Sequence, residues 1–248
     1  MKLIFTTVIV FIFSVGMVQS QGTFHIVKDA NAGATDAQPR DLLADGDKAY
    51  FLTQETDGTG NLWVSNNTQD DATLLLEFTV PLVLGAALNY EVQHNGLLYF
   101  SLDETTIYET LWVTDGTPEG TQELAKPEGG NFKGLEYFFE LNGDLFFLNY
   151  ESNLELWKTD GTITGTTLIK SFCSFQGNNT CYAQPMLNNT ITILNGEAYF
   201  FLKTPSYGQE LWITDGTFSG TKVIDFITGP NDFIFDYQRS SAYDGKVY

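Results

Sequence analysis

LWKTDGTITGT, residues 156–166, is one of three nearly identical stretches in this chain; the others are LWVTDGTPEGT at 111–121 and LWITDGTFSGT at 211–221. A search for internal repeats comes before any local assignment, because a missed repeat misassigns the whole fold. The four tryptophans of the chain, Trp63, Trp112, Trp157 and Trp212, mark the period at intervals of 49, 45 and 55 residues. The first copy, NLWVSNNTQDDATLL, keeps Leu62 and Trp63 but carries Ser65, Asn66 and Asn67 where the others have Thr-Asp-Gly. Upstream of each Trp stands a second anchor, a Gly followed by an aromatic pair, in DGDKAYF, NGLLYF, NGDLFF and NGEAYF. The pair precedes its Trp by 11 to 13 residues, so the two anchors keep a nearly fixed distance. A fifth copy opens at Asp244 as DGKVY.

Each unit reads as short strands joined by turns. A β-rich segment such as ALNYEVQHN or TITILN leads into Asn-Gly or Asp-Gly, residues that tolerate positive φ and so make a tight hairpin turn. The aromatic strand follows, then the Leu-Trp strand, the TDGTxxGT turn and a last segment such as TTLIKSF or TKVIDF. Four antiparallel strands in about 50 residues, repeated, is the pattern of a β-propeller blade. The sequence therefore predicts an all-β array with repeats at about 39–78, 87–127, 135–172 and 190–226, and the start of a fifth at 240–248. In each sheet Phe51, Phe100, Phe147 or Phe200 should lie on a strand beside that of the Trp. FHIVKDA, Phe24 to Ala30, has the look of the last strand of a repeat without its first three, and with the break at Tyr248 it points to an incomplete ring.

The copies ELWKTDGT and ELWITDGT resemble the ELWxxDGT repeat family, secreted proteins of Gram-negative bacteria also known as hyalin-like repeats. The resemblance covers nearly all of residues 21–248 and departs from the pattern at Ser65-Asn66-Asn67 and at Thr110, which replaces the Glu. It implies export, a propeller-like β-repeat array and, commonly, a C-terminal sorting domain for surface delivery by type IX secretion. No such domain is recognisable in residues 21–248.

The start of the chain agrees with export. MKLIFTTVIVFIFSVGMVQS has an early Lys, an apolar run from Leu3 to Phe13 and small residues approaching Ser20, which reads as a secretory signal peptide over 1–20. The apolar run is shorter than the ~20 residues of a spanning helix, so a membrane anchor is the weaker alternative. Residues 21–248 hold no second run of spanning length, and no membrane insertion is expected after cleavage. In an exported protein Cys173 and Cys181 are read as a loop-closing disulfide, since CSFQGNNTC offers no further metal ligand. The formal charge of −19, from 31 acidic and 12 basic residues, repels nucleic acid and anionic lipid and leaves basic partners and divalent cations open.

The repeated turn is the candidate site. In TDGTFSGT, Asp215 can accept a backbone N–H two residues on, Gly216 and Gly220 can adopt positive φ, and Thr217 and Thr221 can bond within the loop. The Asp side chain is expected to be buried or partly buried, and the Trp to pack between neighbouring blades. Gly116, Gly161 and Gly216 with the four tryptophans then form a structural repeat, because a motif present in several blades answers a shared building problem. The competing reading makes Asp115, Asp160 and Asp215 calcium ligands, completed by backbone carbonyls and Thr hydroxyls. It is limited by supply: calcium takes six to eight oxygens, a second carboxylate follows only at Glu119, and EF-hand spacing is absent.

An enzyme reading has less to build on. His25 lies on the orphan strand, His94 flanks the Asn95-Gly96 turn, and no GxSxG, HExxH, P-loop or dinucleotide fingerprint occurs. A glycosidase carboxylate pair remains open, because so many acidic residues could supply one. Asn66, Asn178 and Asn188 begin N-x-T sequons and are read as loop residues. The sequence thus favours a secreted or cell-surface, non-enzymatic repeat protein acting as a binding or adhesion scaffold for a protein or glycan. The alternatives are a carbohydrate-active propeller enzyme with carboxylates at the channel mouth, and a calcium-stabilised structural repeat.

Overall fold

The computed structural model describes residues 39–54, 59–66, 72–79, 88–103, 109–150, 154–172, 184–185, 191–204, 207–224, 242–243 and 246–247. The expected signal peptide 1–20, the orphan strand 24–30 and the Cys173–Cys181 disulfide lie outside them. The described residues are all-β, and no helix among them is long and apolar enough to cross a membrane.

Four antiparallel sheets follow one another along the chain. The first contains β1 (Arg40–Asp45), β2 (Lys48–Gln54), β3 (Thr59–Ser65) and β4 (Ala72–Thr79), hydrogen-bonded in that order. The second contains β5 (Leu88–His94), β6 (Leu97–Asp103), β7 (Glu109–Thr114) and β8 (Gln122–Glu123). The third contains β9 (Leu135–Leu141), β10 (Asp144–Tyr150), β11 (Leu154–Thr159) and β12 (Thr167–Ser171). In the fourth, β13 (Gln184–Pro185) and β14 (Thr192–Leu194) both pair with β15 (Glu197–Thr204), followed by β16 (Gly208–Thr214) and β17 (Lys222–Ile224). β18 (Ala242–Tyr243) and β19 (Lys246–Val247) pair antiparallel in the region of the fifth repeat.

The hairpins between first and second strands form as the Asn-Gly chemistry dictates. Asn95 and Gly96, Asn142 and Gly143, and Asn195 and Gly196 all have positive φ, the conformation of a two-residue type I′ turn. The first sheet differs: Asp45 pairs with Lys48, so the loop is Gly46-Asp47 rather than Asp45-Gly46, and of the loop pair only Gly46, at φ 58°, is left-handed. One extra residue between Gly46 and the aromatic pair moves the turn by one position.

The first strand is bulged in the first three sheets, between Arg40 and Leu43, between Asn89 and Val92, and on β9 opposite Phe147 and Leu148. In the fourth sheet the bulge site becomes an insertion, since Pro185 pairs with Leu202 and Thr192 with Tyr199. A bulge already leaves residues unpaired, and extra chain enters there without breaking the ladder elsewhere.

The second strands explain why the aromatics come in pairs. KAYFLTQ is buried from Ala49 to Gln54 and DLFFLNY from Leu145 to Asn149, so these strands are covered on both faces and read as continuous apolar runs rather than alternating ones. Two compact units contain them: residues 1–108 with 112–122, and 109–111 with 123–248. In the first unit Tyr50 and Leu52 of β2 pack with Leu98, Phe100 and Leu102 of β6, with Trp112 against the cluster. In the second, Phe146 and Leu148 of β10 pack with Ala198, Phe200 and Leu202 of β15 and with Trp212. In β2 and β10 the first aromatic of the pair, Tyr50 or Phe146, thus faces the following sheet, and the second, Phe51 or Phe147, lies beside its own Trp. Direct cross-strand pairing of Phe51 with Trp63, Phe147 with Trp157 and Phe200 with Trp212 fixes that register.

Candidate functional site

The three TDGTxxGT turns are superimposable in their hydrogen bonds. Asp115 Oδ1 accepts from the Thr117 amide at 2.8 Å and from its hydroxyl at 2.7 Å. Asp160 does the same with Thr162 at 2.9 and 2.7 Å, and Asp215 with Thr217 at 2.8 and 2.7 Å. The Thr before each Asp receives the amide of the first Gly at 3.0 Å, in Thr114 and Gly116, Thr159 and Gly161, and Thr214 and Gly216. The second Gly donates its amide to the central Thr hydroxyl at 2.9–3.0 Å. The last Thr closes the loop: Thr121, Thr166 and Thr221 donate to the carbonyls of Thr117, Thr162 and Thr217, and their hydroxyls lie 2.6–2.7 Å from those of Thr114, Thr159 and Thr214. Every residue of the conserved spelling T-D-G-T-x-x-G-T within this chain has a named bond in the turn.

The two glycines have different reasons. Gly116, Gly161 and Gly216 have φ of 87°, 90° and 90°, the left-handed region in which a side chain is strained. The expected positive φ at Gly220 is not found. Gly120, Gly165 and Gly220 are needed because a Cβ at any of them would overlap the carboxylate of Asp115, Asp160 or Asp215. A further correction concerns these aspartates, which are exposed rather than buried. Their carboxyls are nonetheless held below the usual range, first by the hydrogen bond from the Thr hydroxyl and then by that from its backbone amide.

The turn also docks. In the first unit the Gly116 of the second sheet sits against the first: a Cβ there would lie 3.1 Å from the Tyr50 hydroxyl and 2.6 Å from Lys48 Nζ, and that ammonium donates to the Asp115 carbonyl at 2.7 Å. In the second unit Gly216 sits on the ring of Phe146, where a Cβ would be 2.8 Å from Cζ. Tyr50 and Phe146 hold the same place in their repeats, as the first aromatic of the pair. Lys170 of β12 reaches across to the Thr221 carbonyl at 2.7 Å and lies over the rings of Phe218 and Trp212. Burial, with the charges of Asp45 and Asp115, pushes the Tyr50 hydroxyl up to about 12.

The tryptophans are framed in a repeated way. Trp157 meets Phe132 edge-to-face at a centroid distance of 5.0 Å, with Lys126 over both rings. Trp212 meets Phe172 edge-to-face at 5.0 Å, with Lys170 above it. These distances are those of favourable aromatic pairs. Trp157 Nε1 donates to Glu155 at 2.9 Å and Trp63 donates instead to Thr53 at 3.0 Å, whereas the buried Trp212 Nε1 has no hydrogen-bond partner among the described residues although Glu210 holds the same repeat position. Asn61 stands in the Glu position of the first sheet and Thr110 in that of the second, both buried.

Among the described residues no three His, Cys, Asp or Glu side chains come together as a metal-ligating group. Asp115, Asp160 and Asp215 lie on the turns of three different sheets, and Glu119 is exposed on the first of those turns. His94 is buried at the end of β5, its Nε2 2.9 Å from the Asn95 amide nitrogen. His25 lies outside the described residues, as do Asn178 and Asn188; Asn66 directly follows β3 and is exposed. The sequence reading did not single out Glu123, whose carboxyl is pushed up by burial, nor Lys48 and Lys170. The two lysines act across sheets, so only the fold reveals what they touch.

No protein-family model and no curated protein matches this chain. Among solved structures, a puromycin hydrolase is similar over 84% of this chain and 32% of its own, at 18% identity and a TM-score of 0.43. The exo-beta-1,3-galactanase of Phanerochaete chrysosporium is similar over 74% and 49% at 10% identity and a TM-score of 0.35, and the Bacteroides ovatus xyloglucan protein GH43B over 75% and 40% at 13% and 0.33. The chain thus spans about a third to a half of the length of these proteins. At such TM-scores the likeness is one of general shape and carries no argument about activity.

Proposed function

We propose that this chain is an exported repeat protein of the ELWxxDGT kind, whose four-stranded sheets are blades of a β-propeller array and whose role is to present a binding or adhesion surface outside the cell. The observation that supports this is the use made of the most repeated element. In three sheets the polar groups of the TDGT turn are bonded to one another, and where the neighbouring sheet lies in the same compact unit the turn glycine rests on it, Gly116 against Lys48 and the Tyr50 hydroxyl and Gly216 on the Phe146 ring. Residues repeated with that geometry maintain architecture, which leaves ligand recognition to segments that vary between repeats. The ligand class that suits a surface with a formal charge of −19 is a neutral glycan or a basic protein.

The second reading, a carbohydrate-active enzyme, is the class named for several of the structurally similar proteins. One experiment addresses both. Purified protein is applied to arrayed glycans and basic matrix proteins, and the same glycans are assayed for released reducing sugar. Saturable binding without release supports the scaffold. Sugar release proportional to protein, and lost on substitution of a single carboxylate, would replace it with the enzyme.

A further inference from the structure

Two of the hairpin turns form an internal control for a spontaneous chemical modification. Leu141-Asn142-Gly143 and Leu194-Asn195-Gly196 have the same three residues and are followed by an acid, Asp144 or Glu197. Their backbones agree as well, with φ of 55° and 88° in one turn and 53° and 80° in the other, closed by Leu141 opposite Asp144 and Leu194 opposite Glu197. Both asparagines are exposed. The side chains differ. Asn142 Nδ2 donates to the carbonyl of Gly196 at 3.1 Å, tying the hairpin turn of the third sheet to that of the fourth, whereas the Asn195 amide has no partner among the described residues.

An Asn-Gly pair is prone to deamidation because glycine, with no side chain, leaves its own amide nitrogen free to attack the Asn side-chain carbonyl carbon. We propose that Asn195 deamidates in preference to Asn142 because the cross-sheet tie protects Asn142. The Gly196 nitrogen attacks Cγ of Asn195; the N–Cγ bond forms, the Cγ–Nδ2 bond breaks, and ammonia leaves with the former amide proton. Water then opens the succinimide at either carbonyl to give aspartate or isoaspartate. No oxidant or reductant takes part. Isoaspartate adds a methylene to the backbone just before Gly196, whose carbonyl is the acceptor for Asn142, so the first modification loosens the tie that guards the second site.

The same attack at Asn142 requires its amide to leave the Gly196 carbonyl. A net neutral hydrogen bond slows such a step roughly fivefold. The test is to incubate the whole protein at mildly alkaline pH and follow the mass gain at each peptide, in buffer and in concentrated urea. Asn195 should convert roughly fivefold faster than Asn142 in buffer, and the two rates should converge in urea, where the shared Leu-Asn-Gly sequence alone sets them. Equal rates in buffer, a faster Asn142, a difference that persists in urea, or full protection of both sites in buffer would each overturn the proposal.

Discussion

Substitution of Gly165 by Ala isolates the interaction that holds the repeated turn. Gly165 does not have positive φ, so its backbone accepts an alanine, and the nearest atoms that the methyl group meets are those of the Asp160 carboxylate. That carboxylate must swing away and give up the Thr162 amide at 2.9 Å and hydroxyl at 2.7 Å. Two bonds at a net value of about 1 kcal/mol each, the lower figure because Asp160 is exposed, sum to about 2 kcal/mol. Replacing Gly restricts the unfolded chain and returns about 0.4–1 kcal/mol. The net cost is then about 1–1.5 kcal/mol, measured by urea denaturation, or a few degrees of melting temperature for a chain of this length. The decisive arm is the double variant. With Asp160→Ala already made, the overlapping carboxylate is gone, and Gly165→Ala should become neutral or stabilising by about 0.5 kcal/mol. If Gly165→Ala costs the same in both backgrounds, the carboxylate is not the reason for the glycine.

Three further expectations rest on the same turns. Since the carboxyls of Asp115, Asp160 and Asp215 are lowered in the folded state, they contribute stability that is present above the unfolded value of about 3.9 and lost as pH falls through their folded values; chemical denaturation between pH 6 and 3 should show that loss, and the triple Asp→Asn variant should flatten it. Gly216→Ala meets both a left-handed φ of 90° and the Phe146 ring, so its destabilisation should exceed that of Gly165→Ala, at about 2–3 kcal/mol in the same denaturation assay. With Oδ1 of each Asp engaged by Thr162 or its counterpart, thermal melts should be insensitive to calcium and to chelator; a chelator-induced drop that Asp160→Ala abolishes would establish the calcium reading instead.

The sequence by itself determined the all-β class, the four repeats, the three Asn-Gly hairpins and the Asp–Thr bonding of the TDGT turn. These are local matters: an Asp bonds two residues ahead, Asn-Gly reverses the chain within two residues, and Trp recurs with its aromatic partner at a nearly fixed distance. Only the tertiary structure decided which residue each repeated group meets on the next sheet. The Lys48 bond to the Asp115 carbonyl spans 67 residues and the Lys170 bond to the Thr221 carbonyl spans 51, and neither lysine recurs at the same place in every repeat. Likewise the pairing of aromatics became intelligible once β2 and β10 proved to be buried on both faces, with Tyr50 and Phe146 receiving a turn glycine from the following sheet. The second glycine of the turn was spelled in the sequence but, at Gly220, read as backbone freedom, because the carboxylate that fills the space arrives there only when the turn has closed. Local bonding repeats along the chain and can be read from it, while contacts between sheets depend on the register and twist with which separate strands are brought face to face.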